Sequence, residues 1–479
     1  MDWKPVKQQY KTYHQQIIDW FTERIACGDF LPGMKCPTQR ALALQFEVNR
    51  STINTAMEEL KANGLLETRV GAGTFIAENP WPHLLVHPKW QQHINASIHK
   101  PNIETIQLIN DYEQREDIIR LGTGELAPEL LPTKQLEDSL KLIKLPSRAI
   151  GYSEPQGHLA LRESLCNHLH KRDIDTTPDN ILIVSGALQA FQLIALGLLE
   201  RGSLVFQQPA SYLNSIHPFQ SAGMQMVDLD LQSNIVEALQ RTKKNRPAIV
   251  YSIPTLDNPT GRNWSQTDKV SIYEACKKLS IPILEDDVYG ELQFEESNEL
   301  PIKTLDTTGH VLYTGSVSKT ISPGLRIGWV VGPKTVIQRL ADIKMQTDYG
   351  SSALSQAVVT HWLTSGLYDQ HLKNLKVSLQ QRARYMEQLL ECDFKDIATW
   401  ETPIGGFYIW VRFEQPVITK ALFLAVLEHK ILINPGYIYQ PNDFHHLRLS
   451  YAYASFEQME KGLQLLAKMI KKLLLAEIS

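Results

Sequence analysis

From about Ile118 onward the chain alternates short apolar runs with longer amphipathic ones. Ile181–Val184, Leu204–Phe206, Ala248–Ser252, Pro282–Leu284 and Val311–Tyr313 each have strand length and little polar character, and enough chain lies between them for helices. Strands joined through helices run parallel, because a parallel pair needs a crossover much longer than a hairpin turn. Uniformly apolar strands are buried on both faces. The pattern therefore predicts an α/β fold, with a mostly parallel sheet covered by helices on both sides.

The residues before 118 do not continue this alternation, and 479 residues exceed one ordinary domain. Residues 1–77 read as a compact helical unit that closes in a Gly-rich hairpin. Residues 78–117 carry Pro80, Pro82, Pro88 and Pro101 without clean periodicity and read as a linker, in part helical. Residues 118–479 form the large domain. The net charge of −4 excludes bulk attraction of the whole chain to nucleic acid. Residues 1–76 hold nine Lys and Arg against eight Asp and Glu, so any DNA contact must come from individually placed charges. The five cysteines are dispersed with no Cys-x-x-Cys pair, which argues against a metal finger or disulfide scaffold and suits a reducing compartment. No apolar run nears the roughly 18–20 residues of a membrane span, and the N-terminus lacks an apolar signal core. A cytoplasmic protein with no membrane partner and no metal is expected.

In the N-terminal unit, Tyr13–Cys27 reads as a helix with Ile17, Ile18, Phe21 and Ile25 on its apolar side, ended by Gly28. Thr38 suits the N-cap of a short helix, Gln39–Phe46, with Leu42 and Leu44 as core residues. Asn49 suits the N-cap of a third helix, Arg50–Asn63, whose buried stripe is Ile53, Ala56, Met57 and Leu60. Its other side offers Arg50, Ser51, Thr52, Asn54 and Thr55 near the N-terminal end, where a recognition helix meets bases and phosphates. Leu65–Arg69 and Thr74–Ala77 read as two strands around the turn Val70-Gly71-Ala72-Gly73, a wing with Arg69 at its shoulder. By periodicity alone, a small capping or dimerisation module fits equally well.

The large domain carries five motifs at strand ends. Val184-Ser185-Gly186-Ala187-Leu188-Gln189 joins a strand to an apolar helix, whose N-terminus can hold an anion. Tyr212 follows another strand. Pro254-Thr-Leu-Asp-Asn258-Pro259-Thr-Gly261 is a turn, and so reads as structural by itself. Leu284-Glu285-Asp286-Asp287-Val288-Tyr289 brings carboxylates to a strand's carboxyl end, where open α/β sheets bind ligands; a solvated acidic loop is the plain alternative. Gly315-Ser316-Val317-Ser318-Lys319 sets two hydroxyls before a Lys, with Arg326 seven residues later; alone, it reads as a loop or helix start. Arg448 lies near the end of the chain and can hold a carboxylate through two nitrogens, although a lone strand Arg is more often at the surface. Pyridoxal phosphate asks for this set: a Lys for its aldehyde, a carboxylate for its ring nitrogen, donors for its phosphate and a flat group beside its ring.

Two resemblances sharpen these readings. The run Leu31-Pro-Gly-Met-Lys35-Cys-Pro-Thr-Gln-Arg40-Ala-Leu-Ala, together with Val48-Asn-Arg50-Ser-Thr52, Gly64 and the Gly71-Ala-Gly73-Thr-Phe wing, resembles the GntR family of winged helix-turn-helix proteins over residues 10–77. Thr38 and Asn49 stand where Ser is usual and keep a capping oxygen, so the geometry is expected to survive. The resemblance implies that Lys35, Arg40, Arg50, Thr52, Arg69 and Gly71 contact DNA, mostly at phosphates, with Ser51, Asn54 and Thr55 facing bases. Over residues 118–475, the order of the large-domain motifs resembles the fold-type I aminotransferases. That likeness implies a phosphate cradle at Gly186, Ala187 and Leu188, and a ring stacked by Tyr212. It further implies Asn258, Asp286 and Tyr289 at the ring, Lys319 as the Schiff-base amine, Ser316, Ser318 and Arg326 at the phosphate, and Arg448 for a substrate or effector carboxylate. It adds Tyr152, which would reach the partner subunit's phosphate, and the Gly405-Gly406-Phe407 segment near the substrate side. A homodimer is implied.

A GntR-type head on an aminotransferase-like body resembles the MocR subfamily of bacterial regulators. The implied function is regulation of transcription through double-stranded DNA, with pyridoxal phosphate or a small amino compound as the effector. A working aminotransferase with an appended head is the competing reading. Arg40, Arg50 and the wing separate the two, because a plain transaminase has no use for them.

Overall fold

The computed structural model describes residues 3–7, 11–69, 71–78, 97, 102–145, 151–231, 233–243, 246–295 and 299–476. The chain divides into two compact units, a head, Met1–Ser97, and a body, Ile98–Ser479.

The head is built from α1 (Tyr13–Ala26), α2 (Gln39–Phe46) and α3 (Arg50–Ala62), followed by β1 (Leu66–Arg69) and β2 (Gly73–Ile76). Its core takes Ile17, Ile18, Phe21 and Ile25 from α1 and Ile53, Ala56, Met57 and Leu60 from α3, the stripes expected from their spacing. In α2 the expectation fails at one place: Leu42 is buried, but Leu44 is 83% exposed. Residues two apart lie on opposite sides of a helix, so the second core position of α2 is Phe46, one turn beyond Leu42. The Phe46 ring meets Trp3 and Trp20 edge-on at 5.3 and 5.1 Å. Thr38 caps α2 by accepting the Ala41 N–H at 3.2 Å. Asn49 occupies the N-cap of α3 through its backbone, but its exposed side chain makes no cap bond, so the capping oxygen expected there is not used. β1 and β2 pair antiparallel, Leu66 with Ile76 and Arg69 with Gly73. Gly71 turns between them at φ +74°, a conformation costly for any residue with a Cβ. Val70, also assigned to this turn, lies outside the described residues.

The expected linker divides. Residues 79–96 and 98–101, including all four of its prolines, lie outside the described residues. Glu104–Tyr112, however, is a helix (α4) of the body, with Ile106 and Ile109 in the largest body core. The partial helicity expected of this stretch is present, but its few apolar positions do not reveal which core they join. The body therefore starts earlier than residue 118.

Beyond β3 (Ile119–Arg120), the main sheet has seven strands: β4 (Ile181–Val184), β5 (Leu204–Gln207), β6 (Gln225–Asp228), β7 (Ala248–Ser252), β8 (Ile283–Asp286), β9 (Val311–Ser316) and β10 (Gly328–Val331). Their order is β4-β10-β9-β8-β7-β5-β6. β10 runs antiparallel to both neighbours, and the other pairs are parallel. Helix α5 (Ala187–Leu198) packs Phe191 and Ile194 onto one face; Ile272 and Tyr273 help cover the other. A second, antiparallel sheet has the order β11 (Ala398–Thr399), β12 (Tyr408–Phe413), β15 (His446–Ser450), β14 (Asn434–Pro435), while β13 (Ile431–Leu432) pairs with β3. Among the described residues, no helix is long and apolar enough to cross a membrane.

Candidate functional site

The carboxyl ends of the parallel strands surround a cavity of about 350 Å³ in the body. This is where a parallel sheet exposes loops and helix N-termini rather than paired backbone. Nearly every predicted body residue lies here. Gly186, Ala187, Leu188, Tyr212, Asn258, Asp286, Tyr289, Ser316, Ser318, Lys319, Arg326 and Arg448 all line it. Tyr152 does not; it is 84% exposed and its ring lies 5.0 Å from that of Tyr349.

The end of β8 separates three consecutive acids. Glu285 faces away from the cavity and accepts the Ile302 and Lys303 N–H groups at 2.7 and 2.8 Å. Asp287 pairs with Arg172 at 2.7 Å and accepts the Tyr313 hydroxyl. Asp286 alone faces the cavity. Its Oδ2 accepts the Tyr251 hydroxyl at 2.8 Å, and its buried Oδ1 has no partner. Burial pushes its pKa up to about 7, against the pull of the Tyr251 hydrogen bond.

At the end of β9, Ser316 Oγ accepts the Ser318 N–H at 3.1 Å and lies 2.9 Å from Ser318 Oγ. The Lys319 Nζ donates to Gly124 O at 2.7 Å. The Arg326 guanidinium donates to Ser185 O at 2.6 Å, next to the start of α5. Gly186 caps α5 at φ +85°, and a Cβ there would lie 2.7 Å from Arg326 Nη2. The first free N–H groups of α5 and a guanidinium thus converge on one small space, an arrangement that suits a dianion.

Arg448, on β15, is almost wholly buried. It donates to Asn258 Oδ1 at 2.6 Å and to Gly122 O at 2.7 Å, with its guanidinium 4.0 Å from the Tyr408 ring and 4.8 Å from the Tyr439 ring. The Tyr408 hydroxyl lies 2.8 Å from that of Tyr289. Tyr251, Tyr408, Tyr439, Asn434 and Glu113 are site residues that the motifs do not single out. Tyr251 offered a signal, as a hydroxyl in an otherwise apolar run. Tyr408 follows the Gly405-Gly406-Phe407 segment directly. The other three carried none.

In the head, Lys35, Arg40, Arg50, Ser51, Asn54, Thr55, Arg69 and Gly71 are exposed, and Thr52 is half-buried. Arg69 is engaged by Glu67 and Glu78 at 2.7 and 2.9 Å and lies over the Phe75 ring. Thr55 donates back to Ser51 O at 3.1 Å, and Asn54 accepts from Gln39 at 3.0 Å, tying α3 to α2.

Comparison with known proteins agrees with both halves. Residues 116–466 match the family of aminotransferases of class I and II, and residues 13–76 match the gntR family of bacterial regulatory proteins. The chain is 43% identical over 479 residues to the HTH-type transcriptional regulator YisV of Bacillus subtilis, covering 99% of each. It is 35% identical over 444 residues to the HTH-type transcriptional regulator NorG of Staphylococcus aureus, covering 92% of this chain and 100% of the other. Among solved structures, the kynurenine aminotransferase of Pyrococcus horikoshii in complex with PMP aligns at a TM-score of 0.72 and 28% identity, over 78% of this chain and 96% of that one. An archaeal alanine:glyoxylate aminotransferase aligns at a TM-score of 0.74 and 23% identity, over 80% and 100%, a likeness of fold.

Proposed function

Because the chain belongs to the gntR family of bacterial regulators through its head and to the class I and II aminotransferases through its body, we propose that it is a MocR-type transcription regulator. In this reading the body holds pyridoxal phosphate on Lys319, and senses that cofactor or a small amino compound. The observation that carries it is the union in one chain of a cofactor-type cavity and an α3 whose N-terminal end is exposed, with Arg40 and Arg50 making no ion pair among the described residues. A plain transaminase uses only the first.

The residues fit the cofactor. Asp286 Oδ1 is a buried acceptor lacking a donor, which a protonated ring nitrogen supplies. Gly186 keeps open a cradle that a Cβ would fill. Bound pyridoxal phosphate supplies an aldehyde for amines and an electron-withdrawing ring. Around it Lys319 provides the amine, and Ser316, Ser318, Arg326 and the Gly186–Leu188 backbone hold the phosphate. Tyr212 lies against the ring, Asn258 and Tyr289 bind its polar edge, and Arg448 takes the carboxylate of an amino compound. A homodimer, with Tyr152 directed to the partner subunit's phosphate site, completes the proposal. In the head, Arg40, Arg50, Lys35, Arg69 and Thr52 meet phosphates beside the Gly71 wing, while Ser51, Asn54 and Thr55 face bases.

The test uses the full chain and a duplex from its own promoter region. Incubation with pyridoxal phosphate is expected to give a visible absorbance that Lys319→Ala lacks, and DNA affinity is expected to change when cofactor or amino compounds are added. A colourless wild-type protein removes the sensing role. Absorbance without DNA binding, together with turnover of amino to keto acids, favours the aminotransferase reading.

A further inference from the structure

Two carboxylates of the cavity have no part in holding the cofactor. Glu113 follows the last turn of α4, and Glu125 follows Gly124, whose carbonyl accepts from Lys319. Both line the cavity. Of the cations on the surrounding elements, Lys430 pairs with Asp117 and Arg382 with Glu129, while Arg120 donates to Arg115 O and lies over the Tyr453 ring; neither Glu113 nor Glu125 forms an ion pair among the described residues. Burial raises the pKa of Glu113, as does the nearby Glu125, against the Thr123 hydroxyl and the charges of Arg448 and Arg120. A third acceptor stands with them: Asn434, 5% exposed, lines the same cavity and leaves its Oδ1 without a donor.

The balance of charge decides what fits. Arg326 and the α5 N-terminus answer a phosphate, and Asp286 answers a ring nitrogen. Arg448 remains for one carboxylate. Glu113 and Glu125 then remain as carboxylates without a cationic partner among the described residues, and Asn434 Oδ1 as an acceptor without a donor. A neutral side chain would bury them further unpaired, an acidic one would add repulsion, and a cationic one would pair with them.

We propose that Glu113, backed by Glu125 and Asn434, is the specificity-determining group of this site and selects an amino compound bearing a carboxylate and a second, cationic nitrogen: a basic amino acid. The inference rests on the cavity being a pyridoxal phosphate site. The full chain loaded with pyridoxal phosphate is titrated with L-lysine, L-norleucine and L-glutamate, following its visible absorbance. Lysine is expected to half-saturate at a concentration at least about tenfold below that of norleucine, as one charge-assisted hydrogen bond provides, with glutamate weakest. Glu113→Gln should bring lysine and norleucine together, and Glu113→Asp should retain part of the gap. Glu125→Gln, at an exposed position, is expected to narrow the gap in a chain whose folding is not in question.

Equal half-saturation by lysine and norleucine in the wild type overturns the inference while leaving the cofactor reading intact. So does a lysine preference that survives both Gln variants. An equal gain for all three compounds in Glu113→Gln also overturns it, making Glu113 the counter-ion of Arg448. No absorbance with cofactor alone removes the underlying reading, and the inference with it.

Discussion

At Asp286 one carboxylate oxygen is bound by Tyr251 and the other, equally buried, is bound by nothing. Its folded-state pKa of about 7 lies above the unfolded value of about 3.9. In the cofactor-free chain the folded state therefore keeps a proton that the unfolded state has released between these two values. Stability from this group is complete below about pH 4, falls as the pH rises towards 7, and is level above that. Compared with Asp286→Asn, the cofactor-free wild type should lose about 2–4 kcal/mol over that window in denaturant titrations at a series of pH values. Parallel curves for the two proteins would show that Asp286 is already ionised when the chain is folded. The same substitution should weaken pyridoxal phosphate binding at neutral pH, because it removes the charge that answers the ring nitrogen. Glu285, one residue earlier, is also raised to about 7 by burial, yet it serves the backbone of Ile302 and Lys303. A perturbed carboxylate is a site residue only when it faces the cavity.

At the scale of elements, the proposed function sets the starts of α5 and α3 before anions, a phosphate monoester at α5 and a DNA backbone at α3, since a helix N-terminus has unpaired N–H groups. Gly186→Ala should be costly twice over. It places a Cβ at φ +85°, and sets it 2.7 Å from the Arg326 guanidinium. A stability loss of about 1–3 kcal/mol is expected from the backbone alone, with pyridoxal phosphate affinity lowered as Arg326 shifts. A variant of wild-type affinity would show that the cradle relaxes freely. On α3, Arg50→Ala should weaken binding to a promoter duplex and reduce the slope of log affinity against log salt by about one, the loss of one phosphate contact. Arg69→Ala should change that slope less, since Arg69 must first give up Glu67 and Glu78. Equal slopes for Arg50→Ala and wild type would remove Arg50 from the interface.

At the scale of the whole molecule, the head and the body have separate cores. The head core draws on residues between Trp3 and Ile76, and the body cores on residues from Ile106 onward. Thermal unfolding of the full chain should therefore show two transitions. Pyridoxal phosphate at about one hundred times its Kd should stabilise the body by about 2.7 kcal/mol and leave the head transition in place. A single transition that moves as one with added cofactor would mean that the units unfold together. Regulation requires that the effector favour one conformation of the chain over another, whichever unit responds first.

Much of this protein is written in local order. Five apolar strand runs, the buried stripe Ile53-Ala56-Met57-Leu60 and the succession Gly186, Tyr212, Asn258, Asp286, Lys319, Arg326 and Arg448 are legible because each depends on neighbours within a turn or a strand. Tertiary structure decided which of three adjacent acids faces the cavity. It also decided that Glu104–Tyr112 belongs to the body and that Glu113, Tyr251, Tyr408, Asn434 and Tyr439 join one site. Those outcomes arise from contacts between residues far apart in the chain, such as Arg448 with Asn258 and Lys319 with Gly124. Periodicity reports which face of an element is apolar, but only the closing of the sheet and the packing of helices on it determine what that face meets.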